Sequence, residues 1–253
     1  MYKFVVVIVV IVCVSYFLYR TTYEGFQSSQ SSPFFTEAYA ITLSKYPERF
    51  PKIKATADAA GINLKPWEGV LVNENDKDTL PSLGIGTSNY TDRTNVTFNL
   101  GAIGCFLAHR SLLEHIRDSN SDSVGTLICE DDIDIPSDFY KKLSSIQDQI
   151  PDDWDYIFLS KMNIHGNKIS QNVIKLEKDM TSKKNWGFWG FIVKNSSISE
   201  RILPRLEHMI DVVDIQLAKF ADKINMYLVD PPIVYLNPET STKSGISDID
   251  ING

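Results

Sequence analysis

Gly125-Thr126-Leu127-Ile128-Cys129 runs directly into Glu130-Asp131-Asp132, and this stretch decides the fold. Five small or apolar residues are too few for a helix, and they do not alternate with polar ones. They read as a central strand covered on both faces, which belongs to a largely parallel sheet flanked by helices. In open α/β sheets, ligands bind beyond the carboxyl ends of the strands, so the acidic triplet stands where chemistry is expected.

The flanking sequence supports this reading. Upstream, residues 101–117 carry Ala102, Cys105, Phe106, His109, Leu112, Leu113 and Ile116 at helical spacing,. Ala38-Tyr39-Ala40-Ile41-Thr42-Leu43 is a β-rich run, followed by Pro47 and a helical stretch that ends at Gly61,. Downstream, a helix is expected from Pro136 or Ser137 to about Gln149, with strands at 155–159 and 188–193. Helical patterns at 197–206 and 212–221 precede a last strand at 226–229. Alternation of this kind predicts an α/β sandwich with a largely parallel central sheet.

Composition bounds the function. The 253 residues are 43% hydrophobic and 23% charged, which excludes a disordered or collagen-like chain,. Twenty-five Lys and Arg against 32 Asp and Glu leave a net charge of −7, and no basic run interrupts it, so nucleic acid is not an expected partner,. Three cysteines, Cys13, Cys105 and Cys129, are too few for a disulfide framework and fit no zinc-motif spacing,. Cys105 and Cys129 read as small buried hydrophobes, with a pairing between helix and strand left open.

Residues 4–19 are nearly all apolar and lie between Lys3 and Arg20. As a helix they reach about 24 Å, short of a roughly 30 Å hydrocarbon core but usable in a thin membrane. Residues 1–20 are therefore expected to form a single transmembrane signal-anchor; a cleaved signal peptide is the rival reading, although no small-residue cleavage pattern follows them. The charge bias places the body on the far side of the membrane, lumenal in a eukaryotic host. Sequons at Asn89, Asn95 and Asn195 agree with that location,. Residues 21–36, rich in Ser and Gln, read as a flexible stem, and residues 37–253 as the catalytic domain.

In an extended backbone, Glu130 and Asp132 face one side and Asp131 the other. Two carboxylates on one side can hold a hard divalent cation, Mn²⁺ or Mg²⁺, with coordination positions left open for a diphosphate. The alternative is a solvated loop that caps the following helix through Asp134 and Asp138.

Leu100-Gly101-Ala102-Ile103-Gly104-Cys105-Phe106-Leu107-Ala108-His109, followed by a strand ending in Glu130-Asp131-Asp132, resembles glycosyltransferase family 25. Ile41-Thr42-Leu43 with Arg49, Trp67-Glu68-Gly69, residues 187–193 with Gly190, Val213-Asp214 and Pro231-Pro232-Ile233-Val234 match further parts of its pattern, while Phe106 departs from the family's small residue. The resemblance covers residues 38–247. It implies a GT-A, Rossmann-type α/β fold and a metal-dependent transferase. Such an enzyme moves a hexose, galactose foremost, from a UDP-sugar to a glycan, lipooligosaccharide or glycoprotein acceptor with inversion. The resemblance assigns the metal to Glu130 and Asp132. Ser44, Arg49, Glu130 and Gly190 would contact the donor, and His109 would stand near the donor sugar. Inversion needs a base for the acceptor hydroxyl; Asp214 is the first candidate and Asp131 the second. Trp186 and Trp189 are candidates for stacking on sugar. An inactive glycan-binding protein or a nucleotide-sugar hydrolase on the same fold are the competing readings.

Overall fold

In the computed structural model, the described residues are 32, 34–86, 91, 97–119, 122–160, 165–178, 180, 187 and 189–241. In chain order the main elements are β1 (Glu37–Thr42), α1 (Arg49–Ala59), β2 (Leu64–Glu68), α2 (Leu100–Asp118), β3 (Gly125–Glu130), β4 (Ile133–Asp134), α3 (Phe139–Ser144) and β5 (Tyr156–Phe158). They continue with β6 (Gly166–Lys168), β7 (Val173–Leu176), β8 (Gly190–Lys194), α4 (Val213–Ala218), β9 (Met226–Val229), β10 (Tyr235–Leu236) and α5 (Pro238–Ser241).

Eight strands form one sheet in the order β2-β1-β3-β8-β5-β9-β7-β6, and β4 pairs with β10 in a separate ribbon. β3 lies inside the sheet, and residues 125–129 are all buried. Its side chains alternate between two cores. Leu127 and Cys129 pack with Ile53, Phe139 and Leu143, beneath α1 and α3. Ile128 packs on the other face with Phe106, Leu112 and Leu113 of α2 and with Leu217 of α4. The result is helix, sheet and helix in three layers, which is why β3 has no charged residue until its end, and the hydroxyl of Thr126 within it is bonded to Asn195 at 2.9 Å,.

Contrary to the expected largely parallel sheet, the arrangement is mixed. β1 pairs parallel with β2 and β3, and β5 parallel with β9. β8, however, runs antiparallel between β3 and β5, and β7 antiparallel between β9 and β6. A buried apolar run has the same composition in either direction, so the patterning could not show this. The four-residue connection from β6 to β7 is too short for a crossover and requires an antiparallel pair. β2 was not expected as a strand because Lys65 and Pro66 interrupt its pattern. It lies at the edge of the sheet, where a proline costs no ladder bond,. Residues 197–206 form short 3₁₀ and π turns instead of the expected helix, and Pro204 removes an N–H donor within them,.

The expected membrane anchor over residues 1–20 lies outside the described residues, as does most of the stem. Among the described residues no helix is long and apolar enough to cross a membrane. The boundary placed between stem and domain at 36/37 needs correction. Phe34 and Phe35 are buried, Phe34 edge-on to Trp154 at 5.7 Å, and Phe35 against Phe139 and Tyr140, each at 6.1 Å. Two aromatic side chains in the core make residues 34–36 part of the domain.

Truncating Phe35 to alanine should cost about 3–5 kcal/mol in a urea titration, the range for a buried phenylalanine. A chain beginning at residue 37 should likewise unfold at lower urea than one beginning at residue 33. Equal midpoints for those two chains would return residues 34–36 to the stem.

Candidate active site

At the carboxyl end of β3 the main chain turns, and its three carboxylates part company. Glu130 is the last strand residue, and its N–H donates to the Trp189 carbonyl at 2.8 Å, extending the β3–β8 pairing by one step. That bond fixes Trp189 opposite Glu130. α2 approaches from the same side. Its N-terminus is capped by Asn99, whose Oδ1 accepts from the Ala102 N–H at 2.7 Å,. At Gly104 a Cβ would lie 2.3 Å from the Val70 carbonyl oxygen, so only glycine lets the helix seat this closely. One turn of α2 then presents Cys105 and His109 to Glu130. His109 Nε2 is 3.2 Å from Glu130 Oε1, and the Cys105 thiol donates to the same oxygen at 3.9 Å. The His109 ring stacks on Phe191 of β8 with centroids 5.8 Å apart.

These groups line a cavity of about 80 Å³, partly open to solvent, together with Trp189, Tyr156, Asp214 and Leu217. Asp214, in the first turn of α4, accepts from the Gly187 N–H at 2.9 Å and from its neighbour Ile215 at 2.8 Å. Burial raises its pKa; the two backbone bonds oppose the shift. Burial also pushes the Cys105 thiol well up, and nearby Glu130, Asp214 and Asp132 push it the same way, so the sulfur keeps its proton,. Tyr156 is fully buried, and its hydroxyl has no hydrogen-bond partner among the described residues.

Asp131 points elsewhere. It is buried, bonded to the Arg49 guanidinium at 3.2 Å, with Thr42 as a second hydrogen-bond partner. Burial raises its pKa against the opposing effects of Thr42 and Arg49. Asp132 differs from both neighbours. Its Oδ1 is buried with no hydrogen-bond partner among the described residues, and burial first, then the charges of Glu130 and Asp131, hold its carboxyl far above the usual carboxylate range. A buried anionic oxygen with like charges around it fits a bound hard cation, which would supply the missing partner. The chain pins this loop from behind: Asn237 donates its N–H to the Asp132 carbonyl at 2.7 Å and its amide to Asp134 at 2.8 Å.

The structure therefore brings together Glu130, His109, Asp214 and Trp189, residues from four separate elements or their ends. It does not bring Asp131, Asp132, Ser44, Arg49 or Gly190 into the cavity wall. Ser44 gives both its N–H and its hydroxyl to Glu68, at 2.9 and 2.6 Å, and these bonds lower the Glu68 pKa. Gly190 is accounted for by packing, since a Cβ there would lie 2.7 Å from Val234. Arg49 lies over the Tyr46 ring at 4.6 Å while it holds Asp131. Cys105 and Cys129 are free thiols, which closes the question of a bridge between them. The Asn195 sequon is engaged in the fold: Asn195 accepts from Thr126 at 2.9 Å, and its Nδ2 is buried. Asn89, Asn95 and Trp186 lie outside the described residues. Sequence reasoning missed Tyr156 and Asn237, which carry no motif and reach the site only through the order of β5 and β10 in the fold.

With this geometry in view, comparison with known proteins assigns the class. The sequence profile described as "Glycosyltransferase family 25 (LPS biosynthesis protein)" matches residues 35–199, and the chain belongs to that family. Asp214 lies beyond the matched stretch. Among curated relatives, human procollagen galactosyltransferase 2 is 24% identical over 164 residues, covering 63% of this chain and 26% of that protein. Human inactive glycosyltransferase 25 family member 3 is 25% identical over 142 residues, covering 53% and 23%. The chain thus spans about a quarter of the length of these relatives. A solved structure of an active-site mutant of LgtC superposes with a TM-score of 0.42 at 9% identity, covering 76% of this chain and 72% of that one.

The Arg49–Asp131 pair yields a stability test. Arg49→Ala leaves a buried carboxylate uncompensated and should cost about 3 kcal/mol in urea unfolding. Adding Asp131→Asn should recover most of that loss, because the orphaned charge is gone. Full additivity of the two single effects would show that the pair carries no coupling.

Proposed function

We propose that this chain is a glycosyltransferase of the GT-A type that moves a hexose, galactose foremost, from a UDP-sugar to a hydroxyl of a glycan, lipooligosaccharide or glycoprotein acceptor, with inversion. The observation that carries the reading is the buried Asp132 oxygen, unpartnered among the described residues, two positions past Glu130 at the end of a central strand. Family membership supports the reaction class.

In this reading Glu130 and Asp132 would hold Mn²⁺ or Mg²⁺. When bound, the cation supplies charge neutralisation for the departing diphosphate. The remaining work belongs to the side chains. His109 holds Glu130 in place through its 3.2 Å contact and is itself held by stacking on Phe191. Trp189 offers an aromatic face at the cavity wall, suited to the apolar face of a sugar ring,. Asp214 takes the proton from the acceptor hydroxyl as the new bond forms. Its raised pKa brings its basicity closer to what a general base needs at neutral pH, and its two backbone bonds keep it aimed,. Asp131, paired with Arg49, supports the turn and is the less suited base. Ser44 and Arg49 would reach the nucleotide only by leaving their present partners.

A second reading is a binding protein without transfer, favoured by a relative named as inactive at similar identity. Measuring UDP release from UDP-galactose and UDP-glucose, with and without a glycan acceptor and with Mn²⁺ varied, separates the readings. Acceptor-dependent release supports transfer, and acceptor-independent release supports hydrolysis. Sugar binding with no release supports the inactive protein.

Two substitutions sharpen the test. Asp132→Ala should abolish metal-dependent UDP binding and leave the melting temperature unchanged or higher, because it removes a buried, unpartnered oxygen and like-charge repulsion. Near-normal turnover at saturating Mn²⁺ would remove Asp132 from the metal site. Asp214→Asn should lower kcat by about 10² to 10⁴ with donor KM nearly constant. If kcat stays within a few-fold, the base is another group and Asp214 serves to hold Gly187.

A further inference from the structure

Cys105 and His109 stand four residues apart on α2, so they project from one face of the helix. Glu130 meets them from the end of β3. One ligand atom from each, Sγ, Nε2 and a carboxylate oxygen, lies within 4.8 Å of the other two. Two of the separations are 3.2 Å from nitrogen to oxygen and 3.9 Å from sulfur to oxygen. Tetrahedral zinc with ordinary bond lengths requires about 3.3 Å and about 3.5 Å for the same pairs. Closing this triangle on an ion takes shifts of a few tenths of an ångström on these two sides and brings the sulfur–nitrogen side, now within 4.8 Å, to about 3.5 Å,. The three side chains line the cavity, which gives an ion an entry path.

We propose that Cys105, His109 and Glu130 form a site for a thiophilic divalent cation of the Zn²⁺ class, distinct in chemistry from the oxygen-only site of Glu130 and Asp132. Thiolate and imidazole select zinc-like metals, whereas carboxylates alone suit manganese and magnesium. On binding, the metal–sulfur bond forms as the thiol proton leaves to solvent. His109 binds through the Nε2 lone pair with its own proton on Nδ1, and Glu130 gives up its bond to His109. No oxidation state changes. Because Glu130 belongs to both sites, a zinc-class ion competes with the hard cation. This second part rests on the function proposed above; the site itself does not.

Titration of the full-length protein in mild detergent with Co²⁺ reads the site without any turnover. One equivalent should produce the near-ultraviolet thiolate-to-cobalt charge-transfer band and tetrahedral visible bands. Cys105→Ser should abolish the charge-transfer band, His109→Ala should weaken binding by at least tenfold, and Cys13→Ser should change neither. Circular dichroism confirms that each variant is folded. Absence of the band in the wild type, or its survival in folded Cys105→Ser, overturns the site. For the competition, Zn²⁺ at ten times its dissociation constant should raise the Mn²⁺ needed for half-maximal UDP binding about tenfold in the wild type but not in Cys105→Ser. An unchanged Mn²⁺ requirement overturns the shared use of Glu130. No Mn²⁺-dependent UDP binding at any Zn²⁺ level counts against the proposed transfer reaction, and the cobalt result then decides the zinc-class site by itself.

Discussion

Burial of β3 on both faces is the constraint on which the rest depends. A strand with helices above and below can carry no charge along its length, so its charges must come after its last covered residue, Cys129,. The same enclosure determines what surrounds those charges. β8 pairs with β3 and sets Trp189 against Glu130, while α2 covers one face and delivers Cys105 and His109 to the strand end. Gly104 permits this delivery. A side chain there would meet the Val70 carbonyl and hold the helix away from the sheet.

Four carboxylates crowd this end of the sheet, and each meets the cost of its charge differently. Asp131 has an arginine, Asp214 has two backbone N–H groups and Glu130 has His109. Asp132 keeps one buried oxygen with no partner among the described residues. Leaving such a group unmet costs about 1–3 kcal/mol or more, a cost proteins tend to carry where a ligand relieves it. This contrast separates the four residues into support and function more sharply than their shared acidity does.

The family relation gives the class, and the site must be judged within this chain. Relatives named as active and as inactive match it at nearly the same identity, and each extends well beyond the part that is shared. Asp214 lies past the stretch matched by the family profile, yet it lines the same cavity as Glu130 and His109. The site is thus assembled from the family's shared region and from the chain that follows it.

Much of this was legible in the sequence, for physical reasons. The apolar run 125–129 and the helical spacing of Phe106, His109 and Leu113 report burial, and burial depends on side-chain chemistry that composition displays directly. The position of Glu130-Asp131-Asp132 at a strand end followed from the same pattern. Strand direction was not legible, because β8 carries the same apolar residues whichever way it runs. The division of labour among the carboxylates was also hidden. Arg49 lies 82 residues from Asp131, and Asn237 lies 105 residues from the carbonyl it meets at Asp132. The role of residues 34–36 was masked by the polar stretch before them, since two phenylalanines show their packing only when Trp154 and Phe139 are brought to them. Sequence by itself determined which residues are buried and where charge must emerge; only the tertiary structure decided which charges are neutralised, because that depends on partners brought together by the fold.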